Sequence, residues 1–246
     1  MTMLNVLGHS KIMAAKNSLK TYSPNCYYHI YNRGVEKRLI FQDEQDYAVF
    51  LSYLRTYLLP KDEHKLQQTL SNPDLNYKER ERILKELRLN NFSDEITLLA
   101  YCLMPNHFHF LIKQKSSDGI DKFMNSFGVR YTMFFNRKYN RVGSLYQDVY
   151  KAVAVESEEQ LLYLSSYIHR NPFNSKAGSK EDVLRAWFTQ PSSYPDYLGQ
   201  RVTDWIHPDD ILVFFSKTNP QLSYQTFVEQ TDDTPIIKEV ALDLYL

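Results

Sequence analysis

The chain predicts an α+β fold, a ferredoxin-like sandwich built on an antiparallel sheet, and three observations carry that expectation. Runs rich in β-branched, aromatic and aliphatic residues mark strands at 27–31, 96–103, 108–113 and 150–155. Apolar residues recur at helical spacing between them, at about 44–57 and 119–136. The resulting order, strand, helix, strand, strand, helix, strand, suits a ferredoxin-like domain with its helices on one face of the sheet.

Taken in order, Tyr27 to Tyr31 alternates like a strand and runs into the turn-forming Asn32-Arg33-Gly34. The first helix carries Tyr47, Phe50, Leu51 and Leu54 on one side, and Pro60 stops it. From Lys61 to Leu89 the chain is dense in charge, and Tyr77 to Leu87 predicts a surface helix rather than a core element. The strand Ile96 to Leu103 and the strand after it are joined by Met104-Pro105-Asn106, a hairpin turn. The helix from about Gly119 to Asn136 has an apolar stripe of Phe123, Phe127, Tyr131, Phe134 and Phe135. Tyr139 to Gly143 is a loop, and Tyr150 to Val155 the last strand.

The chemistry concentrates in His107-Phe108-His109. Side chains alternate along a strand, so both imidazoles project to one side while Phe108, Phe110 and Ile112 pack on the other. The histidine side is therefore expected to face solvent. Two neutral imidazoles at this spacing can hold one divalent metal if an oxygen ligand arrives from elsewhere in the fold. The alternative is a pair of half-exposed histidines on a sheet.

A further helix begins at Ser157-Glu158-Glu159-Gln160, which fits a capping box in which the serine caps and Gln160 reaches back. Leu161, Leu164 and Ile168 are placed to face the sheet, and Pro172 ends the helix after Asn171. Tyr163, Tyr167 and Asn171 are four apart and share a helix face. A helical tyrosine ordinarily packs and an Asn before Pro ordinarily caps, so spacing alone leaves their roles open.

Composition narrows the setting. At 246 residues the chain is long enough for a full core and reads as one domain with additions. Its 29 basic and 29 acidic residues balance, so any surface for an anionic partner has to be local. Between Lys122 and Lys151 the charges are Lys122, Arg130, Arg137, Lys138, Arg141 and Lys151 against Asp148 alone. Such a cluster is either a solvated helix face or a grip on phosphate. Cys26 and Cys102 give no disulfide framework and no thiolate zinc site. No apolar run reaches membrane-spanning length, and His9, Ser10 and Lys11 break the run from Met3 to Leu7 before it becomes a signal-peptide core. A cytoplasmic protein with a disordered segment over 1–21 is expected.

Four segments together carry a family resemblance: Tyr28-His29-Ile30-Tyr31-Asn32-Arg33-Gly34; Ala100-Tyr101-Cys102-Leu103-Met104-Pro105-Asn106-His107-Phe108-His109; Tyr139-Asn140-Arg141-Val142-Gly143-Ser144-Leu145-Tyr146-Gln147; and Tyr167-Ile168-His169-Arg170-Asn171-Pro172. They resemble the REP-associated tyrosine transposases, single-tyrosine relatives within the HUH endonucleases, over about Tyr22 to Gly199. The resemblance implies a single-stranded DNA endonuclease and strand transferase on a ferredoxin-like fold. It makes His107 and His109 the metal-binding pair, Asn171 the third ligand of Mg²⁺ or Mn²⁺, and Tyr167 the nucleophile that forms a 5′-phosphotyrosine. The implied partner is a palindromic DNA hairpin with a single-stranded flank, met by a monomer or homodimer associated with the nucleoid. Lys122, Arg130, Arg137, Lys138, Arg141 and Lys151 are then candidate phosphate contacts. The stretch 61–89 reads as an insertion and 200–246 as a C-terminal extension, of which Trp205 to Gln230 resembles the tail of longer members. Val149 stands where many relatives have an arginine, and Phe173-Asn174-Ser175 replaces the more usual Val-Arg-Ala.

The residue types support this chemistry independently. A free tyrosine, with a pKa near ~10, attacks phosphate poorly at neutral pH and needs nearby positive charge. Imidazole ligands favour Mn²⁺, and abundance favours Mg²⁺. Two other classes stay open: a catalytically silent DNA-hairpin binder, and a metal-dependent hydrolase that activates water without a tyrosine.

Overall fold

The computed structural model describes residues 22–172 and 191–231. Its centre is a four-stranded sheet of β1 (Tyr27–Arg33), β2 (Ile96–Met104), β3 (His107–Gln114) and β4 (Lys151–Val155), in the order β2-β3-β1-β4. All three pairings are antiparallel. With α1 (Glu44–Leu58) between β1 and β2 and α4 (Gly119–Lys138) between β3 and β4, this is the ferredoxin-like topology that the sequence predicts. The expected disorder over 1–21 and the segment Phe173-Asn174-Ser175 lie outside the described residues.

One face of the sheet is dry and aromatic. Tyr28, Ile30, Phe108, Phe110 and Ile112 pack against Phe50, Leu54 and Tyr57 of α1 and Phe123, Phe127, Tyr131 and Phe135 of α4. Each fully buried ring contributes on the order of 2–3 kcal/mol of apolar transfer. An ionic tie adds to the ring contacts between the two helices: Lys138 Nζ bonds Asp43, the N-cap of α1, and the buried Asp46.

The expectation that helices cover one face is corrected by α5 (Glu158–Arg170), which lies across the other. There Leu161, Leu164, Tyr167 and Ile168 meet Leu99, Cys102 and Leu111 of the sheet. The returning chain, with α6 (Tyr194–Tyr197), α7 (Asp209–Leu212) and α8 (Tyr224–Gln230), adds Tyr194, Tyr197, Ile211, Tyr224 and Val228. The apolar stripe of α5 needed a surface, and α1 and α4 already fill the first face. Strand β2 records both coverings, being buried at every position but Thr97. A register shift between Leu98 and Ala100 places two consecutive residues on one side: Ile96 and Leu98 join the first core, Leu99 and Ala100 the second, and Tyr101 and Leu103 the first again.

The start of α5 departs in detail from the expected capping box. Ser157 Oγ accepts from Gln160 N–H at 3.1 Å, but the Gln160 side chain accepts from Glu156 N–H at 2.8 Å rather than from Ser157. Within the charged segment, α2 (Glu63–Leu70) joins the predicted α3 (Tyr77–Arg88), of which only Ile83 is buried. Segment 191–193 covers the β2 edge, with Leu103 N–H donating to Pro191 O and Ser193 N–H to Tyr101 O.

Candidate active site

The Pro105-Asn106 connection sets the first imidazole. The loop after β1 turns through two left-handed residues, Glu36 and Lys37, both at φ 58°, a conformation costing about 1–2 kcal/mol per residue. It is held by Gly34 N–H on Asn106 O and by Ile40 N–H on Pro105 O. A side chain at Gly34 would put its Cβ 2.3 Å from the Arg38 carbonyl, so only glycine fits there. The loop presents Lys37 O to Asn106 Nδ2 at 3.3 Å, which turns Asn106 Oδ1 toward His107 Nδ1 at 2.7 Å. His107 Nδ1–H then donates, and Nε2 keeps its lone pair.

That lone pair points at Asn171 Oδ1, 3.3 Å away at the end of α5. Two electron-pair donors facing each other form an arrangement that a shared cation satisfies. His109 stands beside His107 with ring centroids 5.0 Å apart and planes at 88°. Its Nδ1 is 2.9 Å from His29 Nε2. Burial, then the neighbouring His107, His29 and Arg33, hold the His109 pKa well below the ordinary histidine value, so the ring stays neutral at neutral pH, as a metal ligand must be. Two neutral imidazoles and an amide oxygen fit Mg²⁺ or Mn²⁺ with open positions left over. Among the described residues no group of three or more His, Cys, Asp and Glu side chains could hold a metal, so a cation here would need Asn171.

Tyr167 completes the cluster, its ring edge-on to His109 at 5.8 Å and to His29 at 6.3 Å. Tyr163, one turn earlier, turns away to pack on Phe227 at 5.4 Å. The structure thus brings His107, His109, Tyr167 and Asn171 together. The expectation of a solvent-facing pair is corrected: His109 is fully buried and His107 half-buried, because α5 roofs their face. Sequence reasoning missed His29, Tyr31 and Asn106 as members of the site. Register was the signal, since Tyr31 pairs with His109 and puts His29 and Tyr31 on the histidine side.

The six basic candidates separate. Lys122, Arg130 and Arg137 line an open groove of about 740 Å³ along the outer side of α1 and α4 with no acidic side chain in its walls. Lys122 pairs with Asp118 at 2.6 Å, and Arg130 stacks on Tyr53 at 3.9 Å with its buried Nη1 lacking a hydrogen-bond acceptor. Lys138 is spent on Asp43 and Asp46, and Arg141 on Asn136 Oδ1 and Ser144 O. Lys151, exposed on β4 and paired with Tyr31, shares the histidine face.

An antiparallel ferredoxin-like domain with a strand-borne His-x-His pair opposed by a helical tyrosine and asparagine is the class of protein that this fold and site define. Residues 22–171, more than half of the chain, match the family described as "Transposase IS200 like", and the chain belongs to that family. It is similar to a solved REP-associated tyrosine transposase bound to a REP hairpin, at 13% identity over 85% of this chain and 97% of that one, with a TM-score of 0.42. A putative transposase from Deinococcus radiodurans R1 is similar at 14% identity over 62% of this chain and 95% of that one, with a TM-score of 0.26. Comparison with curated proteins gave no match. No helix among the described residues is long and apolar enough to cross a membrane.

Proposed function

We propose that this transposase-family chain is a single-stranded DNA endonuclease and strand transferase that recognises DNA hairpins in the cytoplasm and uses Tyr167 as its nucleophile. The observation that carries the reading is the convergence of Tyr167 and Asn171, one turn apart on α5, onto His107 and His109 of β3. His107 Nε2, His109 and Asn171 Oδ1 would hold Mg²⁺ or Mn²⁺. When bound, the cation offsets negative charge on the phosphate and on the phenolate.

Tyr167 Oη attacks phosphorus, a new O–P bond forms, and the bond from phosphorus to the 3′ oxygen breaks. The phenol proton ends on the released 3′ hydroxyl, and the 5′ phosphate stays on the tyrosine. One phosphoester replaces another, so a different 3′ hydroxyl can reverse the step and be joined. Asn106 and His29 keep the two imidazoles oriented, and the roof of α5 limits water that would otherwise hydrolyse the intermediate. Outside the site, Lys122, Arg130 and Arg137 grip the DNA backbone from the groove that they line. Lys151 serves the strand on the histidine face. Lys138 and Arg141 act within the protein.

Purified protein incubated with Mn²⁺ and a hairpin oligonucleotide carrying single-stranded flanks is expected to form an adduct that survives denaturation and maps to Tyr167. Tyr167→Phe should bind the hairpin and form none. Cleavage without an adduct, or a nucleotide on another tyrosine, overturns this reading.

A further inference from the structure

Helix α5 has a back as well as a front. Ser165 and His169, each two residues from Tyr167, project about 200° around the helix from it. Both are buried, and both are bonded to the returning chain. His169 Nδ1 lies 2.7 Å from Tyr224 Oη and its Nε2 lies 2.8 Å from Ser193 Oγ. Tyr224 Oη donates to Ser165 Oγ at 3.1 Å, and Ser165 Oγ donates to Leu162 O at 2.7 Å. At the other end, Tyr101 N–H of β2 donates to Ser193 Oγ at 2.9 Å.

The protons in this run have an arrangement that keeps every bond but the longest, Ser193 Oγ to Tyr101 O at 3.3 Å. Tyr224 gives its hydroxyl proton to Ser165, so it accepts from His169 Nδ1–H, and His169 Nε2 accepts from the Ser193 hydroxyl. The bonds therefore connect β2 to the back of α5 without a break. Apolar contacts in the same region, such as those of Ile211 and Val228, tolerate a helix rolling by some degrees. Directional bonds to two hydroxyls do not.

We infer that His169 and Tyr224 are positioning residues: by holding the back of α5 they set its rotation, and so aim Tyr167 and Asn171 at His107 and His109. The catalytic consequence rests on Tyr167 being the nucleophile, whereas the setting of the helix does not. The segment 191–231 is on this account part of the site's construction rather than an appendage to the domain.

The test compares Tyr224→Phe, which keeps the ring and removes the hydroxyl, with Val228→Ala, which trims the apolar core of the same helix and keeps every bond. Three quantities are measured on the full chain: amide hydrogen exchange of α5 relative to β3, hairpin Kd, and the single-turnover rate of adduct formation with Mn²⁺. Tyr224→Phe is expected to raise relative exchange in α5 and to slow adduct formation by about tenfold each, with Kd unchanged. Val228→Ala is expected to leave all three unchanged. Unchanged relative exchange in Tyr224→Phe, or an equal loss in Val228→Ala, overturns the inference. A raised exchange in Tyr224→Phe alongside a wild type that forms no adduct supports the clamp and removes Tyr167 as nucleophile.

Discussion

The two faces of the sheet hold their helices by different means. On the face of α1 and α4 the contacts are between rings, with Phe50 edge-on to Phe127 and Tyr131 at 4.7 and 4.8 Å and Phe110 tilted against Phe50 and edge-on to Phe127 at 6.1 Å. On the face of α5, three sets of side-chain polar contacts lie among the apolar residues: His29 with His109, His107 with Asn171, and Ser193 through His169 and Tyr224 to Ser165. Ring packing stabilises by area and accepts small shifts, whereas each buried polar atom requires a particular partner in a particular direction. The first face is accordingly expected to govern whether the chain folds, and the second how the histidine site is aligned.

Substitutions should separate these roles. The largest loss of stability is expected from Phe127→Ala, at about 3–5 kcal/mol for a fully buried ring; urea denaturation checks it, and a loss under ~1 kcal/mol would deny that this face dominates folding. Lys138→Ala should follow at about 1–3 kcal/mol, because it strips a cation from the fully buried Asp46 while Tyr139 and Gln42 still bond that carboxylate. A neutral outcome would return Lys138 to the list of phosphate contacts.

Acid should act through the second face. His169 is fully buried, and burial, helped by the charge of Arg201, lowers its pKa to about 3. The folded state therefore refuses a proton that the unfolded chain takes up near pH ~6.5. Stability from this group is complete above pH ~6.5 and falls by about 1.4 kcal/mol per unit as pH drops toward the folded value. Denaturant midpoints at pH 7, 6 and 5 in chelator should show the slope, and His169→Gln should reduce it, the remainder belonging to the buried His109. Tyr167→Phe should cost under ~1 kcal/mol of stability, since only a hydroxyl is lost, while eliminating the adduct. Arg137→Ala is expected to leave stability unchanged and to reduce the slope of log Kd against log salt by about 1. An unaltered slope would place the DNA away from the groove.

Much of the first face was legible in the sequence because its signals are local. Phe123, Phe127 and Tyr131 announce a stripe by spacing alone, and the four strands carry their own composition. The second face depended on pairings distant in sequence. Nothing near His29 says that it will meet His109, 80 residues on, until register is known. Lys138 reads as a free cation because Asp46, its partner, is 92 positions away. Helix α2 was missed since Leu66 and Leu70 alone give too thin a stripe. The burial of His109 was hinted at by the nearly unbroken apolar run of β2, which suits a strand covered on both sides better than one facing water.

The extra residue at Leu99 has a consequence for how relatives of this chain are aligned. Because the bulge sets two residues of β2 against one of β3, the extra residue is absorbed and the side chains before and after it keep their faces. A deletion of Leu99 would leave Leu98 opposite Ile112 and Ala100 opposite Leu111, so Ile96, Leu98, Tyr101 and Leu103 would all keep the first core. Loss of one residue at this point is thus compatible with the same two cores. A one-residue gap at Leu99 would mark a relative that pairs these two strands without the bulge, a distinction that percentage identity does not register.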